Sequence, residues 1–559
     1  MLLGIDVGGT HTDSVLLQDR TIVAKAKVAT DTADILGSVL RATCAVADVE
    51  RLKRVERIVL STTVLTNAVA QDQLDRVGLV VMNGPGVAPA DLPLAGETTI
   101  VAGYMNHRGI EAEAPDEPEL NALADAFARD GIGHVAIVGK FSSRNPLHEL
   151  CAAKIFVARA RHVSLGHQLS GQLNFPRRIA TAYLNEALWS LHARFVEQLA
   201  GYLAEIGIDV PLYILKADGG TIEVARSRDC PVQTILSGPA ASIMGVLPLV
   251  PTDVDCVSID IGGTTTDIAL FAHGAPLLQP QGADIGGHRT LVRGLLTRSM
   301  ALGGDSQVRV IDRRLVIGPE RQGSAMAFGG PCPTPTDALI ASGRADFGDK
   351  AKAAQAMADL ARDLGRTPEE TATAVVAQAC DHIADHVRGM VAEVNAKPVY
   401  TIHELLEGRV IAPKRLIAVG GPAPCMADEI GVRLGMPALV PPNHDVANAC
   451  GAAMARTTVE LNLVADTEAK IMSIAELGER VKIPKRFTDE DVIAAGRERL
   501  LRIAREAGAR EEDLAVEVTD RQSFNVVRGQ FNSGRNIRVR VQIKPGLTHA
   551  GTGPSEVRP

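Results

Sequence analysis

Two short segments of this chain carry the same chemistry-bearing pattern. Ile5-Asp6-Val7-Gly8-Gly9-Thr10-His11-Thr12-Asp13 recurs as Ile259-Asp260-Ile261-Gly262-Gly263-Thr264-Thr265-Thr266-Asp267. An aspartate closing an apolar strand, a Gly-Gly-Thr turn, a further threonine and a second aspartate together suit phosphate. Glycines let backbone N–H groups approach phosphate oxygens, and threonine hydroxyls add donors. The leading carboxylates, Asp6 and Asp260, converge if two halves of the chain pack about a pseudo-twofold axis. They then flank a Mg²⁺ ion, mostly through water, because magnesium sheds its hydration shell reluctantly. On this reading Thr10, Thr12, Thr264 and Thr266 offer hydroxyls to phosphate, and Gly8, Gly9, Gly262 and Gly263 offer N–H groups. Asp13 and Asp267 admit two roles, as acceptors that fix the turn or as groups that position metal or water. Asp267 is carried with Asp6 and Asp260 as a catalytic candidate. The two copies differ at His11, which stands where the second has Thr265.

Four further spots could carry related chemistry. Gly420-Gly421-Pro422 follows an apolar strand and precedes a helical pattern, so a flat base could slide against its backbone; an ordinary strand-to-helix turn is the alternative. Ser237-Gly238-Pro239 puts a hydroxyl and N–H donors at a helix start, where a developing oxyanion or a phosphate can be stabilised. His382 and His386 stand at i and i+4, a metal-compatible spacing, but no third ligand accompanies them and a solvated helix face explains them. Asp284 and His288 are read chiefly as loop residues, with a substrate or metal role as the alternative.

The elements that must position these residues alternate between strand and helix. Met1 to about Lys27 reads as a β-hairpin, with Gly-Gly where two antiparallel strands need it. Helical periodicity follows from Asp34 to Val49, then a strand at Arg57 to Ser61. Val77 to Met82 and His134 to Val138 are apolar runs of the buried-strand kind. Ile179 to Ile206 is helical in pattern, and a helix-rich insertion spans about Asp346 to Ala396. Thr488-Asp489-Glu490-Asp491 is a capping box with Asp in place of Glu, and Ile537 to Ile543 alternates as a half-exposed strand should. With 559 residues the chain exceeds one ordinary core. A net charge of −8 without a basic run excludes a nucleic-acid surface as its main business, and aromatics at 3% leave few stacking platforms. Its eight cysteines are scattered without a C-x-x-C, the pattern of reduced thiols. No secretory signal and no membrane-spanning stretch is visible, so a cytoplasmic protein with no membrane partner is expected.

In combination these segments resemble the hydantoinase A and 5-oxoprolinase family, within the actin, sugar-kinase and heat-shock-chaperone ATPase superfamily. Gly4 to Asp13 looks like its GxDxGGTxTD, Ser61 to Ala68 like its GTTxxTNA, and Phe141 to Glu149 like its FSxxNPxHE. Arg178, Thr181 and Asn185 fall on its R-x-x-T-x-x-x-N helix, Ser237 to Ala241 on its SGPAxG, and Asp260 to Asp267 on its DxGGTxxD. The resemblance implies an α/β fold with duplicated ribonuclease H-like, actin-like domains flanking a nucleotide cleft, plus a small α+β appendage. It divides the chain into an N-terminal half over 1–175, a second half with a helical insertion over 176–460, and the appendage over 461–559. It also implies ATP with Mg²⁺, often K⁺, used to activate a cyclic amide or imide carbonyl by phosphorylation, coupled to ring opening. A B-type hydantoinase subunit is the partner it suggests, and self-association is compatible with it. Thr63, Asn67, Ser237 and Asp305 become substrate candidates. Alternatives of the same fold are a reactivating ATPase acting on a partner enzyme, a ketone-activating carboxylase subunit and a small-molecule kinase. Where the family has GAGGGS this chain reads Ala301-Leu302-Gly303-Gly304-Asp305-Ser306, adding a negative side chain to a loop expected near substrate.

Overall fold

The computed structural model describes residues 1–31, 33–93, 95–250, 254–272, 274–396, 410–528 and 531–548. They build two compact units, each assembled from three stretches of chain. The first comprises Met1–Ser61, Gly238–Leu278 and Leu295–Met454; the second comprises Thr62–Ser237, Gln279–Gly294 and Ala455–Pro559.

In the first unit the opening segment forms the expected antiparallel ribbon. Leu2–Val7 lies between Arg57–Thr62 on one side and His11–Gln18 on the other, with Thr21–Ala29 outermost. All six residues of Leu2–Val7 are buried, whereas Thr21–Ala29 alternates between exposed and half-buried positions as an edge strand does. Helix Ile35–Val46, capped by Asp34, packs on this ribbon and takes a hydrogen bond from Ser14 Oγ at the Ala42 carbonyl, 2.7 Å away. Helix Ala447–Met454 approaches more closely still. A Cβ on Gly4 would sit 2.0 Å from the Ala449 carbonyl oxygen and 2.7 Å from Ala453 Cβ, so only glycine lets strand and helix meet here.

A second sheet of the same unit runs Ala275–Pro276, Thr266–Ala272, Cys256–Ile261, Arg415–Val419, Ala438–Leu439, with Thr297–Met300 also pairing to Thr266–Ala272. Cys256–Ile261 is antiparallel to Thr266–Ala272 but parallel to Arg415–Val419, so its carboxyl end meets the strand-to-helix turn at Gly420. The helix-rich insertion covers one face of this sheet. Helix Pro368–Ala396 buries Ala372, Val375, Val376, Ala379, Cys380, Ile383 and Val387, a stripe at three- and four-residue spacing, in one core with Val257, Ile259, Ile268 and Leu270.

The second unit holds a parallel sheet ordered His162–Leu165, His134–Gly139, Val77–Met82, Glu97–Ile100. Its two central strands are buried at every residue, as parallel strands covered on both faces must be. Helices Phe175–Ala187 and Trp189–Glu205 replace the single long helical run, with the interruption at Leu188. The unit also contains a five-stranded sheet, ordered Glu479–Lys482, Ile471–Ile474, Glu460–Asp466, Phe531–Ile543, Val516–Arg528. Helix Asp489–Glu506 starts at the Thr488 capping box and packs its Val492, Leu500 and Ala504 on Ile537, Val539, Val541 and Ile543. The alternation legible in 537–543 is thus the core face of that strand.

Candidate functional site

Both phosphate-type hairpins close in the same way. Asp6 is cross-strand partner to Asp13, and Asp260 to Asp267. The Gly8 N–H donates to the His11 carbonyl at 3.0 Å, and the Gly262 N–H to the Thr265 carbonyl at 2.9 Å. His11 and Thr265 therefore do the same backbone work despite their different side chains. Thr12 and Thr266 are fully buried, and their hydroxyls are engaged inside the protein, Thr12 with Thr30 Oγ1 at 2.9 Å and Thr266 with the Leu302 carbonyl at 2.7 Å. Thr264 is exposed and Thr10 half-buried, at the tips.

The two tips face each other. A Cβ on Gly263 would lie 3.6 Å from Thr10 Cγ2 and 2.8 Å from Asp305 Oδ2. The Asp305 loop is laced to the second tip, with the Gly304 and Asp305 N–H groups donating to the Gly262 and Gly263 carbonyls at 2.9 and 2.7 Å. Asp305 pairs with Arg321 at 3.3 Å, and burial nonetheless raises its carboxyl above the ordinary range.

Behind the tips lie the leading carboxylates, joined by a residue that sequence reading did not single out. Asn448 Nδ2 donates to Asp6 Oδ2 at 3.2 Å and to Asp260 Oδ2 at 3.1 Å, so one amide bridges both strand ends. Ser242 Oγ donates to Asp260 Oδ2 at 2.6 Å. Burial, then the charges of Asp13 and Asp260, push the Asp6 carboxyl up to about 7 against the lowering influence of the nearby Ser61 hydroxyl and of the Asn448 amide. Asp13 is raised to about 6, chiefly by burial, although Lys27 Nζ holds both its oxygens at 2.6 and 2.7 Å. Asp267, bonded to Ser299 Oγ, is raised to about 7, again by burial first. A cavity of about 10 Å³ between Asp260 and Asp267 has room for about one water. The only sequence signal for Asn448 was a lone amide in the otherwise small-residue helix Ala447–Met454.

Gly420 completes the acidic end. Its φ of 94° is left-handed, and a Cβ there would stand 2.6 Å from Asp260 Oδ1 and 2.3 Å from the Ile261 carbonyl oxygen. His444 brackets it, its carbonyl accepting the Gly420 N–H at 3.0 Å and its Nδ1 lying 2.9 Å from the Gly420 carbonyl oxygen. Gly421 is exposed with open space around it, at the start of helix Ala423–Leu434.

Thr63, Asn67 and Ser237 belong to the second unit. Asn67 Nδ2 lies 3.5 Å from Thr63 Oγ1 within one helical turn. Ser237 is fully buried and exchanges two hydrogen bonds with the Thr62 backbone, at 3.2 and 2.8 Å, which fixes its hydroxyl. The conspicuous motif residues Glu149 and Arg178 are structural. Glu149 accepts from the Gly139 N–H and from the His167 N–H and Nδ1, and Arg178 caps the Gly139, Lys140 and Gln172 carbonyls. Asp284 and His288 sit in a two-residue hairpin, and His386 Nδ1 meets the His382 carbonyl. Among the described residues no cluster of three or more His, Cys, Asp or Glu side chains could hold a metal ion.

Sequence models built from known families match most of the chain: the hydantoinase/oxoprolinase N-terminal region matches residues 2–159, and hydantoinase/oxoprolinase matches residues 178–461. The chain belongs to the hydantoinase/oxoprolinase family. Caprolactamase subunit alpha of Pseudomonas jessenii is 26% identical to it over 377 residues, 61% of this chain and 54% of that protein. Acetophenone carboxylase gamma subunit of Aromatoleum aromaticum is 26% identical over 435 residues, 67% of this chain and 58% of that protein. The crystal structure of the ATP-dependent caprolactamase from Pseudomonas jessenii superposes with a TM-score of 0.73 at 21% identity, over 100% of this chain and 90% of that one. That likeness establishes the mixed α/β fold. This family member spans little more than half the length of the curated relatives it matches.

Proposed function

We propose that the chain is an ATP-dependent hydrolase subunit that phosphorylates the carbonyl oxygen of a cyclic amide or imide and so couples ATP cleavage to ring opening. The observation that carries the reading is the Asn448 bridge, which gathers Asp6 and Asp260 behind two facing glycine-threonine turns. Thr10, Thr264 and the backbone N–H groups of Gly8, Gly9, Gly262 and Gly263 cradle the phosphates, while Thr12 and Thr266 hold the hairpins in shape. Gly420 and Gly421 lie under the nucleoside, and Asp267 orients water or the ion from across the second hairpin.

The donor set suits Mg²⁺. Asp6 Oδ1 is buried without a hydrogen-bond partner among the described residues, beside a second carboxylate, and hard oxygen pairs of this kind are what the ion takes. Asp6 and Asp260 would hold it, and it would supply charge neutralisation to the phosphates. In the reaction the amide oxygen attacks the γ-phosphorus and the bond to ADP breaks. Water then adds at the activated carbon, the ring nitrogen leaves with a proton, and a second water releases inorganic phosphate. The balance is lactam, ATP and two waters to amino acid, ADP and phosphate.

The same geometry extends to the fold and its partners. The matched registers Asp6 with Asp13 and Asp260 with Asp267 support duplicated ribonuclease H-like halves over 1–175 and 176–460, with 461–559 as an appendage. A B-type subunit completes ring opening. No helix among the described residues is long and apolar enough to cross a membrane, in keeping with a cytoplasmic enzyme. The likeness to acetophenone carboxylase gamma subunit favours a second reading, activation of a ketone for carboxylation.

Calorimetric titration with Mg·ATP tests the nucleotide site: saturable binding that weakens in Asp260→Asn is expected, and absence of nucleotide binding overturns the proposal. Turnover assays with a hydantoin, 5-oxoproline and a larger lactam, or a ketone with bicarbonate, read out the substrate. Ring-opened amino acid supports the first reading and a carboxylated product the second.

A further inference from the structure

The second unit contains a cavity of about 670 Å³ walled entirely by its own residues. That volume is the size of a small-molecule site. Its walls carry the cations Lys216, Arg226 and Arg293 and the carboxyl groups of Asp218, Asp229, Glu460 and Glu476. Both signs are present in near balance, which disfavours a polyanion such as a nucleotide and suits a ligand with one charge of each kind.

Other groups also hold these charges, Gln542 Oε1 accepting from Arg293 and the Gly220 N–H and Thr458 hydroxyl donating to Asp218, while the ion pairs between them are loose. Lys216 and Asp218 are buried and face each other at 3.4 Å; Arg293 and Glu460 stand 3.3 Å apart. Charge-assisted hydrogen bonds at full strength are about 2.7–2.9 Å long, so neither pair is closed. Lys216 Nζ has a second partner in the Thr458 carbonyl at 3.0 Å, and its ammonium has three protons to give. Glu476 is fixed as an acceptor by the Gly171 N–H at 2.8 Å and by Asn462 Nδ2 at 2.6 Å and N–H at 3.0 Å. His162 forms part of another wall and is held by Glu186 Oε2 at 2.8 Å and by stacking on Trp189 at 4.4 Å. Such a rigid, oppositely charged lining is pre-organised for a small polar guest rather than left over from packing.

We propose that this cavity is a second binding site that takes a short zwitterionic amino acid, its carboxylate against Lys216 and Arg293 and its ammonium against Glu460 and Glu476. A ring-opened lactam is a ligand of this class, so the cavity gives the product of the proposed reaction a resting place. The binding itself needs neither ATP nor turnover.

Calorimetry on the nucleotide-free chain with 6-aminohexanoate as probe, and hexanoate and hexylamine as half-ligands, tests the assignment. Saturable binding of the zwitterion is expected, with each half-ligand at least about tenfold weaker, as expected when one charge contact worth about 1.4 kcal/mol is lost. Arg293→Gln and, should that variant fold poorly, Glu460→Gln are expected to weaken binding at least about tenfold while Mg·ATP affinity stays unchanged. Asp260→Asn is expected to leave zwitterion binding intact. Amide exchange over residues 458–462 and 474–478 is expected to slow on binding. Absence of saturable binding, equal affinity for hexanoate, or wild-type affinity in both variants overturns the proposal. Loss of nucleotide binding with zwitterion binding retained overturns the ATP reading instead.

Discussion

Asn448 is where a single side chain decides most. Burial first, then the neighbouring charges of Asp13 and Asp260, raise the Asp6 carboxyl, so the two leading aspartates meet at a cost. A neutral amide donating to both lowers the repulsion without adding charge, which a third carboxylate could not do. Asn448→Asp therefore should cut Mg·ATP turnover by about two orders of magnitude, the effect of losing a pre-organised polar contact at a reacting phosphate. Asp260→Asn should do at least as much without lowering the melting temperature, since it keeps shape and removes charge. Steady-state ATPase rates beside thermal melts check both; normal turnover in either variant refutes the placement of the ion. Asp6 and Asp260 were legible because each ends a strand before a glycine pair. Asn448 was not, because it reaches them from a helix more than 180 residues beyond Asp260, and spacing along the chain carries no trace of that.

Elements position these residues through close backbone approach. The strand bearing Asp6 and the helix bearing Asn448 meet at Gly4, where a Cβ would overlap the Ala449 carbonyl. Gly4→Ala should cost roughly 1–3 kcal/mol, the usual penalty for forcing extra volume into a packed contact. It should weaken Mg·ATP binding as well, and denaturant unfolding beside nucleotide titration measures the two together; wild-type stability would mean that the helix can step back. A pH effect belongs to helix Trp189–Glu205. His192 is buried against Ser227 Oγ at 2.7 Å, and burial, helped by Arg228, holds its ring down to about 4 from an ordinary 6.5. Between those values the unfolded chain takes up a proton that the folded chain refuses. Stability from this residue is thus complete above pH 6.5 and lost as pH falls toward 4, by roughly 3 kcal/mol. His192→Gln should flatten that slope, measured by unfolding at pH about 7 and about 5; an unchanged slope refutes it. The capping box at Thr488 and the alternation over 537–543 were readable because a local rule governs each. The matching capping box of Thr334 and Asp337 was not singled out, because its helix, Pro335–Ala341, is too short to show a period.

For the whole molecule, what sequence could not convey is that each compact unit is sewn from three separate stretches. The linear segments 1–175 and 176–460 expected from sequence do not coincide with these units, because compactness follows which strands pair and which helices cover them. The proposed chemistry also divides. In that proposal the facing hairpins and paired aspartates bind and cleave ATP, while the polar groups around them, Asn448, Ser242 and Lys27, are tied up in holding carboxylates. Delivering water to an activated carbonyl while excluding it from the γ-phosphate requires further surface, which a B-type subunit supplies in that proposal. The chain on its own should therefore bind Mg·ATP and hydrolyse it slowly, with ring opening rising by about two orders of magnitude or more once a B-type subunit is supplied, the scale of rate that positioning contributes. Coupled assays that count ADP and ring-opened amino acid separately distinguish the two steps. ADP formed without amino acid in the isolated chain, and in equal amounts with it in the assembly, is the expected pattern. Equal ring-opening rates with and without the partner would place the whole reaction in this chain.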